Sequence, residues 1–165
     1  MNRNHTVKKY KEIVDYIKEY LPNATIFTDI IVGFCKESEE QFNNTKKLME
    51  EVKYNTAYIA CYSPRVGALS ARWEDNIPLK VKKERLAILT TVVKKTARDY
   101  NETFLNKTIK VLLTGLDRKG FVIGHNEGKI QVRLNIKDDT LIGSFYEVYI
   151  NNFKDFNLEG EIINV

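Results

Sequence analysis

Apolar residues recur at steps of three and four through Val7, Tyr10, Ile13, Val14, Ile17 and Tyr20, the spacing of an amphipathic helix. Thr6 stands where its hydroxyl can cap that helix, and Pro22-Asn23 closes it. Thr25 to Val32 is then rich in β-branched and apolar residues, which predicts a strand buried on both faces of a parallel sheet and ended by Gly33. Ser38 opens a second helix, with Glu39, Glu40 and Gln41 in the first turn, where the positive end of the helix dipole favours acids. Phe42, Leu48, Met49 and Val52 form its inner stripe. Thr56 to Tyr62 is a second apolar strand, followed by the loop Ser63-Pro64-Arg65-Val66-Gly67. Strand, helix and strand with short joints predict a βαβ unit with a right-handed crossover. Pro78 marks the start of a helix, and Val81 to Tyr100 reads as one long helix with Leu86, Leu89, Val93 and Ala97 inward.

After Asn101 the period changes. Thr108–Leu116, Gly120–His125, Lys129–Ile136, Phe145–Asn151 and Leu158–Val165 are short β-rich runs, separated by turn signals such as Asp117-Arg118-Lys119-Gly120 and Asn126-Glu127-Gly128. Five such runs predict a small closed barrel of the OB-like kind. The fold class is therefore α/β followed by all-β, with one domain over residues 1–100 and a second over 101–165.

Composition narrows the classes. A chain of 165 residues with 43% hydrophobic and 29% charged positions holds one ordinary domain or two small ones, and is not a disordered or collagenous chain. No apolar run approaches the roughly 18 residues that span a bilayer, and the polar stretch from Met1 to Glu12 lacks the apolar core of a signal peptide. These features predict a soluble, cytoplasmic protein with no membrane partner. Cys35 and Cys61 are the only cysteines, too few to hold an iron–sulfur cluster, so no metal site is expected in this chain. Cys61 reads as a buried thiol within an apolar strand, and Cys35 as a partly exposed loop residue. His5 and His125 stand alone and read as surface residues.

Charge is uneven. Residues 101–165 hold eight Lys and Arg against nine Asp and Glu, so the net charge of +4 comes from residues 1–100. Between Lys80 and Asp99 seven cations face only Glu84 and Asp99. Two readings stand for this basic helix: a surface for a phosphate backbone, or a solvated face.

Several segments together resemble one family, the radical-SAM methylthiotransferases. Thr28-Asp29-Ile30-Ile31-Val32-Gly33-Phe34 with Glu37 and Glu39-Glu40-Gln41-Phe42 resembles the family's TDIIVGFPGE-x-EEDF region. Tyr62-Ser63-Pro64-Arg65-Val66-Gly67-Ala68 with Ala71 resembles its YSPRPGT-x-x-A loop, and Pro78 with Val81-Lys82-Lys83-Glu84-Arg85-Leu86 its VP-x-x-VKKERL helix. Met1-Asn2-Arg3 with Thr6 resembles an internal M-x-R-x-x-T element, and the barrel stands in the place of the TRAM domain, a small β-barrel that binds tRNA. The Met1–Thr6 element and the VKKERL helix look most like the MiaB-type tRNA branch, which methylthiolates isopentenylated adenosine beside the anticodon. Sister branches modify threonylcarbamoyladenosine or a ribosomal-protein aspartate.

The resemblance implies the last βα units of a partial (β/α) radical-SAM barrel followed by a TRAM barrel. It also implies a complete enzyme that uses S-adenosyl-L-methionine (SAM) and two [4Fe-4S] clusters. The CxxxCxxC motif and the further cluster cysteines of that family are absent here, so the chain alone is expected to be inactive. It is expected to be part of a longer enzyme, half of a split one that needs an N-terminal half, or a stand-alone RNA-binding module. By resemblance Ile31, Gly33, Glu37 and Arg65 would bind the cofactor. Three of them also have a plainer reading: core packing for Ile31, helix-terminus electrostatics for Glu37, a surface ion pair or a tRNA phosphate contact for Arg65. Lys82, Lys83, Arg85, Arg118, Lys119, Lys129 and Arg133 are the candidate contacts to a tRNA anticodon stem-loop, with Phe121 and Phe145 as stacking or packing aromatics. Cys35-Lys36 replaces the family's Pro-Gly, which predicts an altered loop because lysine lacks glycine's easy access to positive φ.

Overall fold

The structure is a computed structural model and describes residues 4–163, so the Met1–Arg3 part of the N-terminal element lies outside it. The chain forms two compact units, one of residues up to Pro22 and from Ile26 to Thr96, the other of Asn23–Thr25 and everything from Ala97.

The first unit holds helix α1 (Val7–Tyr20), strand β1 (Phe27–Val32), helix α2 (Glu39–Val52), strand β2 (Thr56–Cys61), a 3-10 turn (Leu69–Arg72) and the start of helix α3 (Leu79–Glu102). Its caps follow from the sequence. The Thr6 hydroxyl accepts the Lys9 N–H at 3.2 Å, and Ser38 and Gln41 form a reciprocal capping box with bonds of 3.1 and 3.0 Å. β1 and β2 are parallel, in register from Phe27 opposite Thr56 to Val32 opposite Cys61. Val14, Val32, Phe42, Met49, Val52, Tyr54, Leu89 and Val93 form the core.

The expectation that β1 is buried on both faces is overturned. Thr28, Ile30 and Val32 turn toward the core, while Phe27, Asp29 and Ile31 are exposed on the other face. A sheet of only two strands has helices packed against one face, and no element covers the second among the described residues. Helix α1 is similarly half covered: Val14 is buried, whereas Val7, Ile13 and Tyr20 on the same predicted stripe are exposed. The cysteines are exchanged relative to expectation, with Cys35 buried and Cys61 only partly so.

The second unit is a closed barrel of β3 (Thr108–Leu116), β4 (Val122–His125), β5 (Gln131–Leu134), β6 (Phe145–Phe153) and β7 (Asn157–Ile162), in the order β3-β4-β5-β7-β6. The β5–β7 pair is parallel and the other pairs are antiparallel. Closure removes free edges, and alternation fills the interior with Val111, Leu113, Val122, Val132, Leu134, Val148, Ile150 and Leu158, all at 0% exposure. Tyr100 and Phe104 pack against this core. The predicted five-stranded barrel is thus present; Asn164 and Val165, read as the end of its last strand, lie outside the described residues. No described helix is long and apolar enough to cross a membrane.

Candidate functional site

Because β1 and β2 are parallel, Val32 and Cys61 bring both C-terminal ends together, and residues 33–38 and 62–73 leave from the same end. This is the end of a parallel sheet at which ligands bind. An open cleft of about 940 Å³ lies there, on the uncovered face, lined by Ile31 and Tyr58 from the sheet and by Phe34, Arg65, Leu69 and Trp73 from the loops. Ile31 is 39% exposed and lies in this cleft. Arg65 is also exposed and forms no ion pair among the described residues.

The cleft walls are tied together from behind. The Phe34 ring meets Tyr62 edge-on at 4.9 Å and Trp73 at 5.8 Å. The Tyr62 hydroxyl donates to the Ser70 carbonyl at 3.0 Å. Lys82 is 4% exposed; its Nζ pairs with Asp75 at 2.6 Å, donates to the Tyr62 carbonyl at 3.3 Å and stands 5.3 Å from the Tyr62 ring centre. One buried ammonium therefore links the end of β2, the following loop and α3.

Gly33 and Glu37 act inside this framework. Gly33 has φ +68°, and a Cβ there would overlap Cγ of Lys82 and stand 3.0 Å from its Cδ. Glu37 Oε2 accepts the Gly33 N–H at 2.7 Å and the Arg85 guanidinium at 2.6 Å, closing the loop on itself. Arg85, 6% exposed, also bonds the Glu37 carbonyl at 3.1 Å and Glu39 at 3.0 Å. Burial works against its charge, and the bonds to Glu39 and Glu37 outweigh this and raise its pKa. Lys36 holds the left-handed conformation at φ 64°, and its N–H is accepted by Asn76 Oδ1 at 2.9 Å. The loop thus keeps a positive φ without glycine.

The candidate RNA contacts separate into three groups. Lys82 and Arg85 point inward into the ion pairs just described and present no free charge to a phosphate; Lys83, between them, is exposed. Arg118 and Lys119 are exposed in the turn between β3 and β4, where Asp117 shapes the chain. The Phe121 and Lys119 N–H groups and Arg133 Nε bond the Asp117 carboxylate at 3.0, 2.7 and 2.8 Å, the Phe121 bond chief among the causes that hold its pKa low. Arg133 Cζ lies 4.0 Å and Lys137 Nζ 4.8 Å from the Phe121 ring centre, so Lys137 joins this group. Lys129 is elsewhere. It is exposed in the turn between β4 and β5, across the length of the four-residue β4 from Arg118, about 13 Å.

These features define an α/β segment with a ligand-sized cleft at its strand ends, followed by a closed, OB-like barrel. The chain is homologous over its whole length to the C-terminal third of MiaB-type tRNA methylthiotransferases. It is 39% identical over 165 residues to the tRNA-2-methylthio-N(6)-dimethylallyladenosine synthase of Acetivibrio thermocellus, a match covering 99% of this chain and 34% of that protein. The synthases of Shouchella clausii and Bacillus thuringiensis are each 37% identical over the same share of the chain and 32% of their own length. The chain therefore spans about a third of the length of the curated relatives it matches. No family model matches it.

Proposed function

We propose that this chain is the SAM-facing and tRNA-facing C-terminal portion of a methylthiotransferase acting on dimethylallyladenosine next to the anticodon. The observation that carries this reading is the match over 99% of the chain to synthases named for that methylthiolated nucleoside. It favours this branch over the threonylcarbamoyladenosine and ribosomal-protein branches.

The cleft suits SAM: Ile31 offers an apolar surface for the adenine, and the Arg65 fork, in no ion pair among the described residues, suits the carboxylate of the methionine end. Gly33 and Glu37 hold the loop from behind, with Glu37 Oε2 already engaged by Gly33 and Arg85. When bound, SAM supplies the methyl group and, on reduction, the radical of the reaction. The chain's own residues bind and orient the cofactor and shield it from water. The two clusters do not fit this chain: it has two cysteines, and no group of three or more metal-ligating side chains occurs among the described residues. Their ligands, and catalytic competence, belong to an N-terminal portion.

That portion would pair with a free edge of the two-stranded sheet and pack on the exposed side of α1, completing the partial (β/α) barrel around the cleft. The barrel unit, with Arg118, Lys119, Arg133 and Lys129, would contact the tRNA anticodon stem-loop, and Lys83, in the first unit, is a separate candidate contact. The closed, separately cored fold of the barrel unit favours a second reading, an RNA-binding module that works without the enzyme.

A salt series tests the RNA assignment. Binding of an anticodon stem-loop by this chain should weaken steeply with salt, log K falling by about 0.7–0.9 per log unit of salt for each phosphate contact. Binding that is absent at low salt, or indifferent to salt, would overturn it.

A further inference from the structure

Strand register lines up five side chains across the outer wall of the barrel. Phe145 on β6 opposes Leu112 on β3, Leu112 opposes His125 on β4, His125 opposes Gln131 on β5, and Gln131 opposes Asn157 on β7. All face outward, because the residues next to them along each strand, such as Leu113, Gly124, Val132 and Leu158, are buried inside. None of the five carries a fixed charge. His125 belongs with them, since burial and the nearby Lys129 push its pKa below the ordinary 6.5 and leave the ring neutral at neutral pH. Its Nδ1 is within 3.3 Å of the Thr114 hydroxyl.

The neighbouring rows are different. On one side Lys110 opposes Glu147; on the other Ile123, Arg133 and Glu159 follow one another in register, with Arg133 held by Asp117 and Glu159. Each flank of the uncharged belt therefore carries paired charges of both signs, Lys110 opposite Glu147 and Arg133 beside Glu159, and no run of cations. A double helix, which meets a protein mainly through two continuous tracks of phosphates, has no counterpart there. The belt does carry what an unpaired nucleotide needs. Phe145 is 61% exposed and offers a ring face, with Lys110 Nζ 4.9 Å from the ring centre. Gln131 and Asn157 supply amides, and His125 a ring nitrogen, for the edges of a base. Lys129 stands close enough to His125 to perturb it, so a second cation borders the belt.

We propose that the belt Phe145–Leu112–His125–Gln131–Asn157 is a site for unpaired RNA nucleotides, with a base stacked on Phe145 and the adjoining phosphates at Lys110 and Lys129. This rests on the RNA-binding reading above and adds to it a specific class of ligand, the single-stranded loop.

The test uses the full chain and two RNA hairpins at low salt. One has an open, unpaired loop carrying 2-aminopurine; the other is a fully paired stem closed by a tight, stable turn. Phe145→Ala should weaken binding of the open-loop hairpin about tenfold, the loss typical of one stacked base, and abolish the quenching of 2-aminopurine. Binding of the paired stem should stay unchanged, and Phe145→Trp should restore the open-loop affinity. Because Phe145 is exposed, the alanine variant should unfold at the wild-type temperature, which a thermal scan verifies. Equal affinity of wild type and Phe145→Ala for the open loop overturns the stacking site and leaves RNA binding standing. Failure of the wild type to bind either RNA overturns both.

Discussion

Gly33 lies against the aliphatic stem of Lys82, so close that a Cβ at position 33 would overlap the lysine Cγ. Two demands meet at this glycine: a left-handed φ of +68° and room for the stem of a cation that ties down the end of β2. Gly33→Ala is therefore expected to destabilise the protein by about 1–3 kcal/mol. Urea unfolding of Gly33→Ala, Lys82→Ala and the double variant measures how much of this is the contact. The losses should be clearly less than additive, and full additivity would show that Lys82 is not the obstacle.

Arg85 shares two carboxylates that differ in burial. The Glu37 side chain is 12% exposed and the Glu39 side chain 70%. Arg85→Ala strands Glu37 and should cost about 3 kcal/mol, whereas Glu39→Ala should cost less than about 1 kcal/mol. Denaturant midpoints at constant slope compare the two, and comparable losses would contradict the assignment of the Glu37 pair as the structural one.

Lys36 occupies a backbone conformation that glycine adopts at no steric cost. Lys36→Gly should change stability by no more than about 1 kcal/mol in either direction, since relief of strain is offset by greater freedom of the unfolded chain. Lys36→Val, β-branched at φ 64°, should destabilise by more than that. Thermal unfolding of the two variants is the check, and a tolerated valine would mean that the loop does not need this conformation.

The barrel should lose stability as pH falls below neutrality. His125 has its pKa lowered by burial first and by Lys129 second, so the unfolded chain takes up a proton near 6.5 and the folded protein only at lower pH. Between those two values the unfolded state binds more protons, and stability declines as pH falls through that window. Asp117, held low chiefly by the Phe121 N–H, and Glu159, held low chiefly by Lys154, act further down, below their ordinary 3.8 and 4.5. Melting temperatures followed downward from pH 6.5 should drop in the wild type and stay flatter in His125→Gln. Parallel curves would remove His125 from the explanation.

Much of the fold is written locally. Ser38 and Gln41 mark a helix start by chemistry that needs no tertiary partner, and the β-rich run Thr108–Leu116 has the bounds of β3. What local pattern does not contain is cover. Thr25–Val32 reads as a strand buried on both faces, and Ile31 is exposed because one side of a two-stranded sheet lacks a layer. The cations of α3 have the same lesson. Charge alone assigns Lys82 and Arg85 to a nucleic acid, yet they fall on the three-and-four spacing that continues through Leu89 and Val93, the buried stripe. That spacing is the signal in the sequence that separates them from Lys83. Asp75 and Glu37, the partners that offset the cost of their burial, are brought in by the fold and not by any motif. The outer belt of the barrel is of the same kind, since its five members come from five strands.

The central claim is that this chain completes a tRNA methylthiotransferase. Joining it to the N-terminal two-thirds of the Acetivibrio thermocellus relative, loading the clusters and digesting the treated tRNA for mass spectrometry tests that claim most directly. The predicted result is 2-methylthio-N6-dimethylallyladenosine from the fusion and none from the chain alone. A folded, cluster-loaded fusion that leaves dimethylallyladenosine unchanged, beside an active intact relative, would contradict it.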